Sequence, residues 1–358
     1  MFLAPLIMAL AATASSLILH FDVNETIILE DIAGGDTREM CLNKIIAKSA
    51  AVIPDSDSDG DSVGDSFTWL DGSPLNDPTP QTISSLSTSF LPPHPSALPY
   101  YRVKSLKKNA LNFTTHAHGS RFRPIYDQLV SKMNHGTGLP PTLSKDGSTH
   151  FILPSFFKTL STLSKSSQPF NIVIRTFGLD LPEIASSLTA FAKGLHPKFP
   201  DFLDEEFEVR EDQIFKGRYV KNEGGKLEWR ISNKSGEFSE EEALHHFQTN
   251  RITLVQDDYS HWKSSNYSPQ SGKPCWVTKT GDSPKHIFFD DNIWPDPTDS
   301  IVAVRVRETE GDEFVPMSGE EIMGEEGKSI VKVFGVEACL NDDYFLDKIK
   351  LCTGEKEK

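Results

Sequence analysis

Apolar runs that stop at a polar residue recur along the chain. "LILHFD" (17–22), "FNIVIRT" (170–176), "ITLVQDD" (252–258) and "HIFFDD" (286–291) each have strand length. Their apolar residues are nearly continuous, the pattern of strands covered on both faces. "SIVAVRV" (300–306) predicts a further strand. Helical spacing fills the intervals: Met40, Leu42, Ile45, Ile46 and Ala47 in "EMCLNKIIAKSA", then "FILPSFFKTLSTLSK" from Phe151. "LPEIASSLTAFAKGL" predicts a helix stopped by Gly194 and Pro197, and "SEEEALHHF" one capped by Ser239 with an acidic first turn. Between Phe207 and Ile231 two strands flank a Gly224-Gly225 turn, a small hairpin insertion. Alternating strands and helices predict an α/β protein with a mostly parallel sheet covered on both faces. In such sheets ligands sit beyond the carboxyl ends of the strands, where these runs turn polar.

Residues 51–149 have a different texture. Ser, Pro, Asp and Gly dominate in "PDSDSDGDSVGDS" and "STSFLPPHPSALP", and periodicity is lost. The expected organisation is a core of residues 15–50 and 150–358. Residues 51–149 form an insertion, cap or partly disordered segment, and 205–238 a hairpin insertion. "DSDSDG" places Asp55, Asp57, Asp59 and Gly60 as in a calcium loop, but Ser66 stands at its twelfth position, so a flexible acidic linker is expected instead. His116, His118, His245 and His246 are expected at the surface, as is the acid-rich stretch 201–212.

The 358 residues, 37% of them hydrophobic, suffice for a large core, and a formal net charge of −15 excludes a general nucleic-acid binder. Cys41, Cys275, Cys339 and Cys352 lack metal-ligand spacing and read as reduced, buried thiols. The apolar start "MFLAPLIMALAATA" ends like a signal-peptidase site but has no basic leader and is too short to span a bilayer. A cytoplasmic protein without stable membrane insertion is expected, with a secretory or organellar route as the alternative. Sequons at Asn24, Asn112, Asn233 and Asn266 favour that alternative, although a glycan on Asn24 would plug the site described next.

Three strands end in Asp22, Thr176 and Asp290-Asp291, and Lys273 precedes the last. A nucleophilic carboxylate, a hydroxyl, an ammonium and a diacid that holds Mg2+ are the parts of phosphoryl transfer through an aspartyl intermediate. Lys263 and Lys279 compete with Lys273, but Gly272 and Pro274 around Lys273 suggest a loop running into a helix start. Asp257-Asp258 competes with Asp290-Asp291, but only the later pair has a Gly-Lys step just upstream. Asp22 could instead cap the following helix, and Thr176 could be an ordinary strand residue.

These residues resemble, in order, the motifs of the haloacid dehalogenase superfamily. Asp22-Val23-Asn24-Glu25-Thr26 resembles the first motif, "IVIRT" the second, Lys273 in "SGKPCW" the third and "IFFDDN" the fourth, over residues 15–50 and 150–305. The resemblance implies a Rossmann-like core, Asp22 as nucleophile, Thr176 and Lys273 at the phosphoryl group, and Mg2+ held by Asp22, Asn24, Asp290 and Asp291. The expected substrate is a small phosphomonoester. The departure is Asn24, which stands where phosphatase members carry a second acid. An amide cannot titrate, and losing general acid-base help costs about 10²–10⁴-fold in rate. A catalytically weakened protein that binds a phosphorylated ligand or a protein partner is therefore the rival expectation.

Overall fold

The computed structural model describes residues 16–31, 34–55 and 66–355. The N-terminal apolar run and most of the calcium-like loop lie outside the described residues. At the centre is an eight-stranded sheet. Strand β1 (Leu17–Asp22) pairs in parallel with β5 (Phe170–Thr176) and β11 (Lys285–Asp290). β14 (Ile330–Lys332) joins β11, β9 (Ile252–Gln256) joins β5, and β6 (Ile214–Lys221) joins β9, all in parallel. β7 (Leu227–Asn233) and β8 (Gly236–Phe238) close that edge antiparallel. The mostly parallel α/β sheet expected from the alternation is present. The hairpin does turn at Gly225, where φ is +78°, but it extends the main sheet through β6.

The central strands are apolar throughout because both faces are covered. Leu19, Phe21, Ile172, Ile174, Leu254, Ile287 and Phe289 face one core, which includes Ile45 and Ile46 of the helix Arg38–Ser49. The helices Pro154–Ser164, Leu181–Ala192 and Tyr344–Thr353 pack into that core through Phe156, Leu188 and Phe345. The opposite face is covered differently. There the helix Glu240–Thr249 and Trp276 cover Ile18, Val173 and Val255. Trp276 belongs to a second sheet of β10 (Lys273–Thr278), β12 (Val302–Arg307) and β13 (Val315–Pro316). The "SIVAVRV" run therefore forms a strand outside the main sheet.

The described residues of the 51–149 segment, 51–55 and 66–149, are built of short elements. β2 (Ala51–Pro54) pairs with β3 (Phe67–Trp69) and β4 (Leu98–Pro99). Trp69 stacks on Tyr100 at 5.7 Å, and Phe113 packs against Tyr100 and Phe122 at 4.8 and 5.4 Å. These rings belong to the same hydrophobic core as β1, and the helix Arg123–Met133 adds Ile125 and Leu129 to it, so aromatic burial and a regular helix together order this part of the chain. Among the described residues, no helix is long and apolar enough to cross a membrane.

The main core also buries histidines. The His196 ring lies 4.9 Å from Phe157 and 5.0 Å from Phe199 and stacks on His150 at 5.4 Å. Among the described residues, neither histidine's Nε2 has a hydrogen-bond partner. Burial lowers the pKa of His196 to about 3 and that of His150 to about 4. An unfolded histidine titrates near about 6.5, so the unfolded chain takes up these protons first. Their contribution is present in full above that pH and is lost as pH falls toward the folded values. The urea midpoint should therefore fall on acidification from neutral pH. His196→Phe should remove up to about 1.4 kcal/mol per pH unit of that slope. A variant whose midpoint falls as steeply as the wild type would contradict this reading of His196.

Candidate functional site

Parallel register lines up the candidate side chains. His20 pairs with Phe288 and Phe21 with Phe289, so Asp22 and Asp290 end neighbouring strands at one level. Across the other seam Asp22 pairs with Arg175, one residue before Thr176. The chain then folds back: Ile27 N and Ile28 N both donate to Val23 O at 3.0 Å, and Glu25 takes a left-handed backbone with φ +58°. That conformation is uncommon for a residue other than Gly, Asn or Asp, and such positions cluster at functional sites. Asp22 does not cap the helix that follows, because Thr37 does.

Lys273 is buried between two carboxylates. Its Nζ donates to Asp22 Oδ1 in a short bond and to Asp290 Oδ2 at 2.9 Å. Asp22 Oδ2 also accepts from Thr26 Oγ1 at 3.1 Å, and Asp290 Oδ1 from Asn292 N at 2.8 Å. Among the described residues, Asp22, Asp290 and Asp291 form the one cluster of three acidic or imidazole or thiol groups with ligand atoms within 4.8 Å of one another. Burial raises Asp22 well above the usual carboxylate range; Lys273 offsets part of this, and Asp290 and Asp291 add to it. Burial raises Asp290 likewise, again against Lys273. Burial works against charge on Lys273, but Asp22 and Asp290 outweigh it and raise its pKa.

The geometry corrects one expectation. Lys273 does not stand at a helix start; it opens β10. Gly272 is required because a Cβ there would collide with the Ile301 carbonyl, and Lys273 N donates to that carbonyl at 2.7 Å. Pro274 fits because its carbonyl is the group in use: it accepts from Arg175 Nη1 at 3.0 Å. Arg175 in turn grips Asp257 with Nε and Nη2 at 2.9 and 2.6 Å, deep in the protein. Asp258 accepts from His261 N and caps the helix Tyr259–Ser264. Asp257-Asp258 is thus occupied structurally. Lys263 is exposed, and Lys279 pairs with Glu308 at the surface.

Asn24 reaches three partners. Nδ2 donates to Glu30 O at 3.0 Å and lies 3.4 Å from Asp180 Oδ2, while Oδ1 accepts from Thr176 Oγ1 at 3.4 Å. Thr176 Oγ1 also accepts from Gly178 N at 2.8 Å. Thr176 is fully buried behind Asn24. Of the histidines expected at the surface, His245 is exposed, while His116, His118 and His246 are half-buried: His118 bonds Tyr100, and His246 packs its ring on Phe215.

Sequence reasoning missed a lysine wall. Lys44 and Lys48, one turn apart on the helix Arg38–Ser49, clamp Glu25 at 2.6 and 2.7 Å, and Lys48 also holds Asp291 Oδ2 at 2.6 Å. Burial opposes charge on Lys48, but Asp291 and Glu25 raise its pKa well above the ordinary value. Burial also opposes charge on Asp291, yet Lys48 and Lys332 hold its carboxyl below the usual range. The i, i+4 lysine pair was the available signal. Tyr101, from the 51–149 segment, lies 5.2 Å below Lys48 Nζ. These groups line a cleft of about 490 Å3 together with Phe177, Tyr259 and Asn292.

The donor set suits a hard divalent cation. Three carboxylates supply oxygen ligands, the set Mg2+ takes, and their mutual repulsion is only partly met by Lys273 and Lys48. Searches against protein-family models, curated proteins and solved structures match nothing to this chain.

A cation bound by the native state alone stabilises it, by about 2.7 kcal/mol at a hundred times its Kd. Millimolar Mg2+ should therefore raise the wild-type melting temperature and leave Asp290→Asn unmoved. Without metal that variant should melt below wild type, because it takes one of two carboxylate partners from the buried Lys273 ammonium. Equal Mg2+ shifts in both proteins would remove Asp290 from the site.

Proposed function

We propose that this chain is a Mg2+-dependent phosphohydrolase or phosphotransferase of the haloacid dehalogenase type. Its substrate would be a small phosphomonoester, processed through an aspartyl phosphate on Asp22. The observation that carries the reading is the position of Lys273 Nζ between Asp22 and Asp290, groups brought together from distant parts of the chain. They occur in the order of the family's motifs.

Each group then has a role. A carboxylate oxygen of Asp22 attacks phosphorus, and the substrate's alkoxide oxygen leaves with the electron pair of the broken P–O bond. Lys273 offsets the charge of an anionic nucleophile meeting an anionic phosphoryl group. Thr176 and Asn24 stand beside the nucleophile and orient the loop through their mutual contact. Asp22, Asp290 and Asp291 would hold Mg2+, with Asn24 beside them. The bound cation would supply further positive charge at the phosphoryl oxygens.

The leaving oxygen needs a proton, and Asn24 has none to exchange. This supports a second reading, in which the site binds a phosphorylated ligand and turns it over slowly or not at all. Asn24→Asp separates the two. It would put a second carboxyl 3.4 Å from that of Asp180, which burial already raises above the usual range. Two such carboxyls share a proton, and one of them titrates nearer neutrality. Turnover of alkyl phosphates, whose leaving groups need protonation, should rise by up to about 10²-fold. Asp22→Asn should abolish turnover of every phosphomonoester. If wild type and both variants are inactive but bind inorganic phosphate, the binding reading replaces the enzyme.

A further inference from the structure

Most of the wall around Asp22 is charged, yet three aromatic rings line the same cleft: Tyr101, Phe177 and Tyr259. Phe177 directly follows Thr176, and its ring centroid lies 5.1 Å from Lys273 Nζ. Trp262 stacks on Phe177 at 5.2 Å and backs it from within. Tyr259 meets Phe177 edge to face at 5.7 Å and is 43% exposed. Tyr101 closes the other end, its ring flanked by Lys48 and Lys107 at 5.2 and 4.6 Å. The lysines of the wall are each committed to two carboxylates. Lys44 holds Glu25 and Asp36, Lys48 holds Glu25 and Asp291, and Lys273 holds Asp22 and Asp290. Among the described residues of the wall, no cation is left for a second anionic group on a ligand.

Taking Asp22 as the phosphoryl acceptor, as proposed above, we infer that the substrate is a small phenolic phosphate whose ring packs against Phe177 and Tyr259. One ester oxygen joins the ring of such a substrate to phosphorus, so a phosphoryl group at Lys273 brings the ring to Phe177. A sugar or long alkyl spacer would carry an aromatic group past this corner. Asn24 points to the same class by an independent route. As an Asp22 oxygen bonds to phosphorus, the P–O bond to the ester oxygen breaks, and that oxygen leaves with the electron pair. A departing alkoxide needs a proton, because its parent alcohol is about as weak an acid as water, with a pKa of about 15.7. A phenol ionises near about 10, so a phenoxide leaves unassisted and takes its proton from solvent. The Asn24 amide is no handicap to this class in the attack step. Water then takes the phosphoryl group from Asp22 and releases inorganic phosphate.

Isothermal titration of the full chain in millimolar Mg2+ tests this with phenylphosphonate, cyclohexylphosphonate and inorganic phosphate. The carbon–phosphorus bonds of the two phosphonates are not hydrolysed, and the pair match in charge and nearly in size, so their comparison isolates the ring. Phenylphosphonate should bind one to one and about fivefold more tightly than cyclohexylphosphonate, the gain of one aromatic pair. Phe177→Leu and Tyr259→Leu keep an apolar side chain, and each should reduce that preference by about half or more. Tyr259 is exposed, so its variant carries the comparison even if Phe177→Leu fails to fold. Equal affinity for the two phosphonates, with phosphate bound, would overturn the phenolic substrate and leave the phosphoryl site standing. An undiminished preference in every folded variant would do the same. Binding of none of the three ligands would overturn the phosphoryl site and this inference with it.

Discussion

The ammonium of Lys273 is the charge on which the rest of the site depends. Asp22 and Asp290 end adjacent parallel strands, so the register that builds the sheet also forces two carboxylates together below the surface. Without a cation between them one would have to take up a proton, and removing one partner of a buried ion pair costs about 3–5 kcal/mol. The means of delivering that cation explain features that otherwise look incidental. Gly272 lets the chain approach Ile301, β10 and β12 pair to carry it, and Arg175 anchors the Pro274 carbonyl while tied to Asp257. A charged residue within an apolar strand, Arg175, is thus part of the scaffold behind the lysine.

A second set of charges comes from the opposite wall. Glu25 sits in a left-handed turn that turns its carboxylate toward Lys44 and Lys48, and Lys48 extends the chain of charges to Asp291. The two lysines share a helix face, so the spacing of one element holds the loop after β1 and the end of β11 together. Tyr101 closes over Lys48 from a segment with no regular periodicity. The site is therefore assembled from the core and from the segment inserted into it, and a substrate would meet both.

What could be read from the sequence follows from how each part is stabilised. β1, β5, β9 and β11 were visible because strands covered on both faces need unbroken apolar runs, and their polar last residues marked the edge where the candidate site lies. Asp22, Lys273 and Asp290 meet as their order suggested. The strand at Lys273 was hidden because it begins with a lysine and a proline and owes its form to pairing with β12. The three-residue β14 is too short to leave a pattern. Residues 51–149 were opaque for another reason: Trp69, Tyr100, Phe113 and Phe122 meet through tertiary packing that local spacing does not encode. Lys48 could not be read as a site residue because its partner Asp291 lies 243 residues away and only the fold brings the two together.

Asn24 makes the covalent account open to direct observation. If Asp22 is the nucleophile as proposed, water must be activated to release phosphate from it, and the Asn24 amide does not provide a base, so a phosphoryl-enzyme should accumulate during turnover. Acid quenching of the protein with Mg2+ and an aryl phosphate, followed by peptide mass mapping, reads this out. The account predicts a phosphoryl group on the peptide containing Asp22, lost on treatment with hydroxylamine as an acyl phosphate must be. Turnover with no adduct on that peptide, or an adduct on a different residue, would contradict it.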